Sequence, residues 1–177
     1  MEYLTAFDIN GNKIGKIERN QAHTDNPGVF HKAVWIWMIN SKGEVLSHRR
    51  SKEKKQSPLK WGGSSAGHVE YDECPLDTCV RETWEELGIK IPKDKFEYIF
   101  TFIYKHGWEL AENYLVEIDV PISAMTFPQR EVEELRWWHF KDFKTLVFSD
   151  DFVKLAGETD FKHKLCNAIE QRILSHP

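Results

Sequence analysis

The chain contains little cysteine: only Cys74, Cys79 and Cys166 among its 177 residues. No two of these form a Cys-x-x-Cys pair, and their number is odd. The first residues, Met1–Leu4, lack the basic and apolar blocks of a secretion signal. Together these features favour reduced thiols in a cytoplasmic protein, and we predict no disulfide.

Long apolar runs and an excess of basic charge are also absent. The apolar stretch Ala33–Ile39 is far shorter than the ~20 residues that a helix needs to span a bilayer. The net charge of −4 provides no general attraction to nucleic acid or to an anionic membrane. We therefore expect a protein that binds neither a nucleic-acid polymer nor a membrane.

The composition is that of a single folded domain. Hydrophobic residues make up 41% of the chain, and seven tryptophans and eleven phenylalanines suffice to fill a core of the size that 177 residues allow. We divide this domain into an N-terminal β-hairpin extension (1–24), a core (25–145) and a C-terminal helical segment (146–177). The chain contains no visible internal repeat or low-complexity tract.

Hydrophobic patterning predicts an α/β fold in which helices cover a mixed sheet. Asn10–Asn12 has the composition of a hairpin turn between two N-terminal strands. Ala33–Ile39 is rich in β-forming residues, so we expect a central strand buried on both faces. The predicted strands are Glu2–Ile9, Lys13–Glu18, Phe30–Ile39, Glu44–His48, Ser65–Glu70, Phe96–Tyr104, Asn113–Val120 and Leu135–Phe140, and a closing helix is predicted at Asp160–Leu174.

A further helix is predicted at Pro75–Leu87. Proline suits the first turn of a helix, and Gly88 can adopt the left-handed conformation that ends one. Residues three and four apart share a helix face, so Glu82, Glu85 and Glu86 lie together. Like charges at this spacing repel by ~0.2–0.5 kcal/mol per pair, and a divalent cation between them turns the repulsion into attraction. This face therefore indicates a metal site.

A loop that contains Gly62, Gly63 and Gly67 precedes this helix. The loop and the helix together resemble the Nudix box, Gly-x5-Glu-x7-Arg-Glu-U-x-Glu-Glu-x-Gly-U, in which U is apolar. All fixed positions of the box are present, at Gly67, Glu73, Arg81, Glu82, Glu85, Glu86 and Gly88. The one departure is Thr83, which occupies an apolar position. The resemblance implies the Nudix fold, an α/β/α sandwich with a mixed β-sheet and a loop–helix–loop catalytic motif.

The resemblance also implies a divalent cation, Mg²⁺ or Mn²⁺, because a diphosphate cannot otherwise approach clustered carboxylates. The predicted metal ligands are Gly67 (through its carbonyl), Glu82, Glu85, Glu86 and His68. The residues predicted to hold the motif together are Glu73, which pairs with Arg81, and Gly88. The implied reaction is hydrolysis of a phosphoanhydride bond in a small organic diphosphate, such as a nucleoside diphosphate linked to another group, by metal-activated water.

From about His23 to Phe143 the chain also resembles isopentenyl-diphosphate isomerase, a Nudix-fold enzyme. The matching stretches are His31–Val34, Arg49–Ser51, Pro58–Trp61, Ala66–His68, Glu112–Asn113 and Glu134–Trp138. That family binds metal through histidines and a glutamate, and the residues nearest those positions are His23, His31, His68 and Glu112. Two positions depart from the isomerase pattern: Ala66 replaces a catalytic cysteine, and Tyr114 replaces a second catalytic glutamate. These departures favour hydrolysis, since isomerisation needs groups that move protons to and from carbon.

Several assignments stay open on sequence alone. The catalytic candidates are Glu82, Glu85 and Glu112, and the base is either Glu85 or Glu112. The candidates for substrate binding are Arg49, Arg50, Trp61 and Tyr114, although aromatic residues more often belong to a core. The alternatives to a hydrolase are an isopentenyl-diphosphate isomerase and a non-catalytic nucleotide-binding sensor. The sequence decides neither the substrate, nor the number of metal ions, nor the choice between monomer and homodimer.

Overall fold

A computed structural model describes residues 2–24, 28–153 and 159–175 of the protein. Within these residues, none of the helices is both long and apolar enough to cross a membrane. Two short 3₁₀ turns occupy Lys93–Lys95 and Ile122–Ala124. The remaining elements are β1 (Tyr3–Phe7), β2 (Lys13–Glu18), α1 (Arg19–Thr24), β3 (His31–Ile39), β4 (Glu44–Arg50), β5 (Ser65–His68), α2 (Pro75–Leu87), β6 (Glu97–Tyr104), β7 (Glu109–Glu117), β8 (Val132–His139), α3 (Phe140–Val147) and α4 (Thr159–Ser175).

The central element is a six-stranded mixed sheet in the order β6-β7-β3-β4-β8, with β5 also paired to β3. β3 and β7 are parallel, and the other pairs in this sheet are antiparallel. β1 and β2 form a separate antiparallel hairpin, as the turn at Asn10–Asn12 predicts. One side of β3 is shared: β5 pairs with Ala33–Ile36, and β4 pairs with Met38 and Ile39. β4 and β5 therefore diverge, which opens a wedge in the sheet.

Two hydrophobic cores lie on opposite faces of this sheet. On one face α2 packs through Cys79 and Leu87 against β3 residues that include Val34 and Ile36. On the other face α3 and α4 pack through Phe143, Phe161, Leu165 and Ile169. The helix–sheet–helix layering confirms the predicted α/β sandwich. It also explains why Ala33–Ile39 is apolar throughout, since both faces of a central strand are covered.

The α2 helix matches its predicted span. Gly88 ends it in the left-handed conformation, with φ at 69°, and donates its N–H to the Trp84 carbonyl. Thr83, the departure from the apolar pattern, is fully buried, and its hydroxyl donates to the Cys79 carbonyl at 2.9 Å. The helix therefore tolerates a hydroxyl in its core face because the backbone satisfies it.

Other boundaries differ from the sequence-based expectation. β7 begins at Glu109 instead of Asn113, and β8 begins at Val132 instead of Leu135. The helices α1 and α3 are unpredicted, because six and eight residues give too few turns for hydrophobic periodicity to be recognised. The early start of β7 matters most, because it brings two additional glutamates, Glu109 and Glu112, into the sheet.

Replacing Gly88 by alanine is expected to destabilise the fold more than replacing Gly11. Both glycines have positive φ, 69° and 83°, which costs an L-residue about 1–2 kcal/mol. A Cβ at Gly88 would also lie 2.0 Å from Oγ1 of Thr126, whereas nothing lies within 4 Å of one at Gly11. Urea unfolding of Gly88→Ala and Gly11→Ala measures the difference. Equal losses of unfolding free energy would contradict this account of the Thr126 contact.

Candidate active site

The carboxylates of α2 face β5 and the loop that follows it. Glu86 lies deepest: its Oε2 accepts hydrogen bonds from the Ser65 hydroxyl at 2.7 Å and from the Ala66 N–H at 3.2 Å. Glu82 lies against Gly67, where a Cβ would be 1.9 Å from its Oε1. The side chain of Glu85 is 56% exposed and points to the open side of the helix. The predicted ligands Gly67, Glu82, Glu85 and Glu86 are thus brought together.

This arrangement places two carboxylates in an unfavourable environment. Burial raises the pKa of Glu82 to about 7, and the neighbouring charge of Glu86 raises it further against the opposing effect of Arg81. Burial also raises the pKa of Glu86, although hydrogen bonds from Ser65 and Ala66 oppose the shift. Carboxylates that are desolvated side by side need a positive partner, and a divalent cation supplies it.

Arg81 connects the loop to the helix. Its Nε and Nη2 groups donate to the two carboxylate oxygens of Glu73 at 3.1 and 3.0 Å, and Nη2 also donates to the His68 carbonyl at 3.0 Å. Its Nη1 group donates to Oε1 of Glu82 at 2.7 Å. Burial alone would raise the pKa of Glu73, but hydrogen bonds from Arg81, the Glu70 N–H and Thr78 lower it below the ordinary value. Glu73 and Arg81 therefore pair as expected for residues that hold the motif together.

A polar cavity of about 470 Å³ lies over the carboxylate face of α2. Its cationic lining includes Arg50, whose Nε donates to the Gln56 carbonyl, and Lys54, which pairs with Glu131. In the described residues no other hydrogen-bond partner contacts the Arg50 guanidinium, so most of its donors are available to a ligand. The acidic lining comes from α2, the surrounding loops and β7: Glu2, Glu70, Glu82, Glu85, Glu86, Glu109 and Glu131.

A second cavity of about 190 Å³ adjoins the polar one. The two cavities share Trp35, His48, Arg50, Ala66 and Glu109 and so form one cleft in the wedge between β4 and β5. Aromatic and aliphatic side chains line the smaller cavity: Trp35, Trp37, Tyr104, Phe152 and Val153. Burial lowers the pKa of His48, which lines both cavities, to about 4, so its ring is neutral. The cleft has a charged end and an apolar end.

Three histidines from separate elements meet beside the polar cavity. His23 of α1, His31 of β3 and His68 of β5 each offer one ring nitrogen, and these atoms lie within 4.8 Å of one another. Within the described residues neither nitrogen of His31 has a hydrogen-bond partner. Burial, followed by the charges of His68 and His23, lowers the pKa of His31 to about 3. Neutral imidazoles with unpaired nitrogens are suitable ligands for a cation.

Glu112, a candidate for the catalytic base, and Tyr114, a candidate for substrate binding, both lie away from the cleft. Glu112 forms an ion pair with Lys32 at 2.6 Å and accepts a hydrogen bond from the Tyr114 hydroxyl at 2.7 Å. Both side chains are on the face of β7 that packs under α2. Neither residue lines either cavity. Glu112 is thus part of a structural polar cluster, and it does not contact the carboxylates of α2.

Two other candidates for substrate binding, Trp61 and Arg49, also lie outside the cleft. Trp61 is 7% exposed and packs edge-on against Trp138, with ring centroids 5.1 Å apart, so it belongs to the core. Arg49 donates its Nε to the Leu59 carbonyl and lines neither cavity. Arg50 is one residue further along β4 and therefore faces the opposite side, where it lines both cavities. Of the four candidates, Arg50 alone reaches the cleft.

Glu109 is the main residue that the sequence analysis misses. It pairs with His31 across β3 and β7, and its Oε1 lies 3.8 Å from Nε2 of His68. The alternation of small and polar residues at Glu109, Ala111 and Asn113 was available in the sequence as an indication of a strand face. The predicted start of β7 at Asn113 excluded it. The aromatic lining by Trp35 and Tyr104 has no sequence motif that would have revealed it.

Comparison with known proteins identifies the family. The NUDIX domain model matches residues 29–155, and the chain belongs to the Nudix family. It is 30% identical to Nudix hydrolase 3 of Arabidopsis thaliana over 97% of its own length, but it spans only 24% of that longer protein. It is also 30% identical to an isopentenyl-diphosphate Delta-isomerase of Salmonella paratyphi B, with 93% of this chain and 95% of the isomerase covered.

Among solved structures, DR0079 from Deinococcus radiodurans has the same fold, with a TM-score of 0.70 at 19% sequence identity. The match covers 96% of this chain and 98% of that chain. The family comparison and this structural likeness confirm both the Nudix resemblance and the α/β fold class that the sequence predicts.

Arg81→Ala is expected to lower the free energy of unfolding by about 1–3 kcal/mol, because charged hydrogen bonds to Glu73 and Glu82 are lost in a partly buried site. The matched control is Lys164→Ala, which removes an exposed helix ion pair with Asp160 and should cost at most ~0.5 kcal/mol. Denaturant unfolding measures both. If Arg81→Ala lowers the free energy of unfolding no more than the control does, Arg81 does not hold the loop to the helix.

Proposed function

We propose that this protein is a hydrolase that depends on Mg²⁺ or Mn²⁺ and cleaves the diphosphate linkage of a small organic substrate. The observation that supports this most directly is the group of carboxylates on α2. Two of them, Glu82 and Glu86, are partly buried with raised pKa values, and in the described residues no cationic side chain pairs with both. Their affinity for a cation is the property that diphosphate hydrolysis requires.

The residues present fit the proposed metal. Glu82, Glu85 and Glu86 would hold the cation, with the Gly67 carbonyl as a further ligand, and a side chain at Gly67 would fill the space that Glu82 needs. Oxygen ligands of this kind suit the hard cations Mg²⁺ and Mn²⁺. When bound, the metal supplies charge neutralisation for the phosphates and lowers the pKa of water.

The two ends of the cleft favour one orientation of the substrate. Arg50 and Lys54 offer positive charge to phosphate oxygens at the polar end. The aromatic end, lined by Trp35, Trp37 and Tyr104, would receive the organic group attached to the diphosphate.

Glu85 is the proposed base. It is the most exposed of the three α2 carboxylates, so it meets solvent water at the mouth of the cavity. Two other acidic residues of the cavity have closer partners than Glu85, whose ion pair with Arg81 is exposed: Glu131 pairs with Lys54, and Glu109 lies beside His68 in the less exposed part of the site. Glu112, the alternative base, has its carboxylate in the cluster with Lys32 on the other face of β7. These contacts favour Glu85.

The histidine cluster is proposed as a second cation site. His31 supports this proposal because its buried ring nitrogens lack partners in the described part of the chain, a costly state that a metal would relieve. His23, His68 and Glu109 surround it and would complete the ligand set.

The isomerase alternative rests on the likeness to isopentenyl-diphosphate isomerases and on the histidine cluster. The position of the isomerase's catalytic cysteine, however, is occupied by Ala66. This residue lines both cavities, but its methyl side chain can neither donate nor accept a proton. A catalytic role for Tyr114 is also disfavoured, because its hydroxyl donates to Glu112 and its pKa is raised, first by burial and then by that bond. A non-catalytic sensor would not need the complete carboxylate set. Hydrolysis is therefore the function that the site supports best.

Glu85→Gln is expected to lower the hydrolytic rate by a factor of about 10²–10⁴ while its thermal stability stays unchanged. The amide preserves size but removes the charge, and relief of repulsion with Glu82 and Glu86 changes stability by only tenths of a kcal/mol. The measurement is release of phosphate or pyrophosphate across nucleoside diphosphate sugars, nucleoside triphosphates, dinucleotides and prenyl diphosphates, with melting curves of each variant.

The control for this experiment is Glu133→Gln, an exposed glutamate outside the cleft, which should retain the wild-type rate. Chelation with EDTA should abolish turnover by the wild type without unfolding it. NMR of isopentenyl diphosphate incubated with the protein tests the alternative, since interconversion with dimethylallyl diphosphate would favour the isomerase. If Glu85→Gln keeps the wild-type rate, the carboxylate face of α2 is not the catalytic centre.

His23→Gln is expected to remove one class of Mn²⁺ site and to leave the other intact. His23 is exposed and reaches the cluster from α1, so its loss should weaken the cluster without disturbing the core. Titration of Mn²⁺ followed by EPR counts the sites in the wild type, in His23→Gln and in Glu85→Gln. His163→Gln, an exposed histidine on α4, is the matched control. Equal Mn²⁺ stoichiometry in His23→Gln and the control would exclude the second site.

A further inference from the structure

The N-terminal hairpin is bound to the loop that connects β5 to α2, which we call the motif loop (residues 69–74). An antiparallel bridge joins Leu4 of β1 to Glu70 of this loop, and Leu4 is fully buried. The N–H of Tyr71 donates to the carbonyl of Tyr3 at 2.8 Å. β1 therefore lies against the motif loop as a short additional strand.

The hairpin completes the hydrogen bonding of this loop. Every backbone N–H of residues 69–73 has an acceptor inside the protein. Three of these groups donate to β3 or to residues of the loop itself. The other two, those of Tyr71 and Asp72, donate to β1, and the bond from Asp72 ends on the hydroxyl oxygen of Thr5 at 3.2 Å. β1 thus satisfies donors that the Nudix box itself leaves without acceptors.

Asp72 is the residue of the loop whose conformation most needs such support. Its φ is 62°, in the left-handed region that residues other than glycine seldom adopt. Such a backbone conformation persists where its surroundings fix it. Thr5 is only 7% exposed, so water competes little for its hydroxyl. The bond from Thr5 therefore holds Asp72 in this conformation and, with it, the neighbouring Glu73 where Arg81 binds it.

The shape of the motif loop determines how β5 and α2 meet. Arg81 binds the loop at both ends, through the carbonyl of His68 before it and the carboxylate of Glu73 within it. The backbone of Gly67 lies on the β5 side of the loop, and the carboxylate of Glu82 lies on the α2 side. A shift of the loop would therefore change how closely Glu82 approaches Gly67, the contact that the proposed metal site requires.

We propose that Thr5 is a positioning residue of the active site, which acts through the N–H of Asp72 to hold the motif loop in the shape that the metal site needs. This role rests on the proposed function, because it concerns the same carboxylates. The hairpin precedes residues 29–155, the part that the NUDIX domain model matches, so its contribution is additional to the Nudix box.

The hairpin makes a second contact with Asp72 that serves as an internal control. The ammonium group of Lys13 pairs with the Asp72 carboxylate, but both side chains are more than half exposed. Exposed ion pairs contribute little to a folded conformation, because water and salt screen them. Loss of the Lys13 charge should therefore leave the loop in place, whereas loss of the Thr5 hydroxyl should release it.

Thr5→Val tests the hydrogen bond directly, because it removes the hydroxyl and keeps the β-branched shape that suits a strand. Hydrogen exchange followed by NMR should show the Asp72 amide exchanging about 3–10-fold faster in Thr5→Val than in the wild type. Thr5→Ser, which keeps a hydroxyl, and Lys13→Met should exchange at the wild-type rate. Unchanged exchange in Thr5→Val, or equal acceleration in Lys13→Met, overturns the proposal.

Titration of Mn²⁺ followed by EPR tests whether the loop acts on the metal site. Thr5→Val should weaken binding about 3–10-fold at the site that Glu85→Gln weakens, and Thr5→Ser should restore the wild-type affinity. A hydroxyl with a purely structural role would lower the melting temperature and leave this affinity unchanged, and that result overturns the proposal. Neither measurement needs turnover. Absence of hydrolysis with every substrate would contradict the proposed function and would leave this test of Thr5 intact.

Discussion

The fold and the candidate site both depend on one close approach, that of the Glu82 side chain to the backbone of Gly67. A Cβ at this glycine would lie 1.9 Å from Oε1 of Glu82, so α2 packs this closely on β5 only where no side chain intervenes. Glu86 continues the contact one turn later by accepting hydrogen bonds from Ser65 and Ala66. The helix therefore docks on the strand through the carboxylates of the motif as well as through its apolar face.

This docking creates the electrostatic tension on which the proposed function rests. Burial raises the pKa values of Glu82 and Glu86, which means that the folded chain disfavours their charged forms. Arg81 offsets part of the cost, but its guanidinium is shared with Glu73 and the His68 carbonyl and cannot neutralise the whole cluster. Under the proposed function a cation bound here relieves this cost, a compromise that is common at functional sites.

The parts of the site that sequence predicts well are those determined over a few residues. Proline, glycine and the spacing of the Nudix box act locally, which is why the span of α2 and the Glu73–Arg81 pair follow from the sequence. The face of the sheet on which a strand residue lies is not determined locally in this way. Glu109 and Glu112 are three residues apart on β7 and so face opposite sides of the sheet. Only the parallel pairing of His31 with Glu109 tells which glutamate lies in the cleft, and that register depends on contacts distant in sequence.

The same distinction explains why the reaction class is readable from the sequence and the substrate is not. β4 and β5 both pair with the same side of β3, so they must diverge, and the cleft lies in the wedge between them. Its apolar end is built from β3, β6 and residues that follow α3, none of which belongs to the motif. The motif helix is therefore independent of these walls, and under the proposed function the organic group of the substrate meets side chains such as Trp35 and Tyr104, which carry no sequence motif.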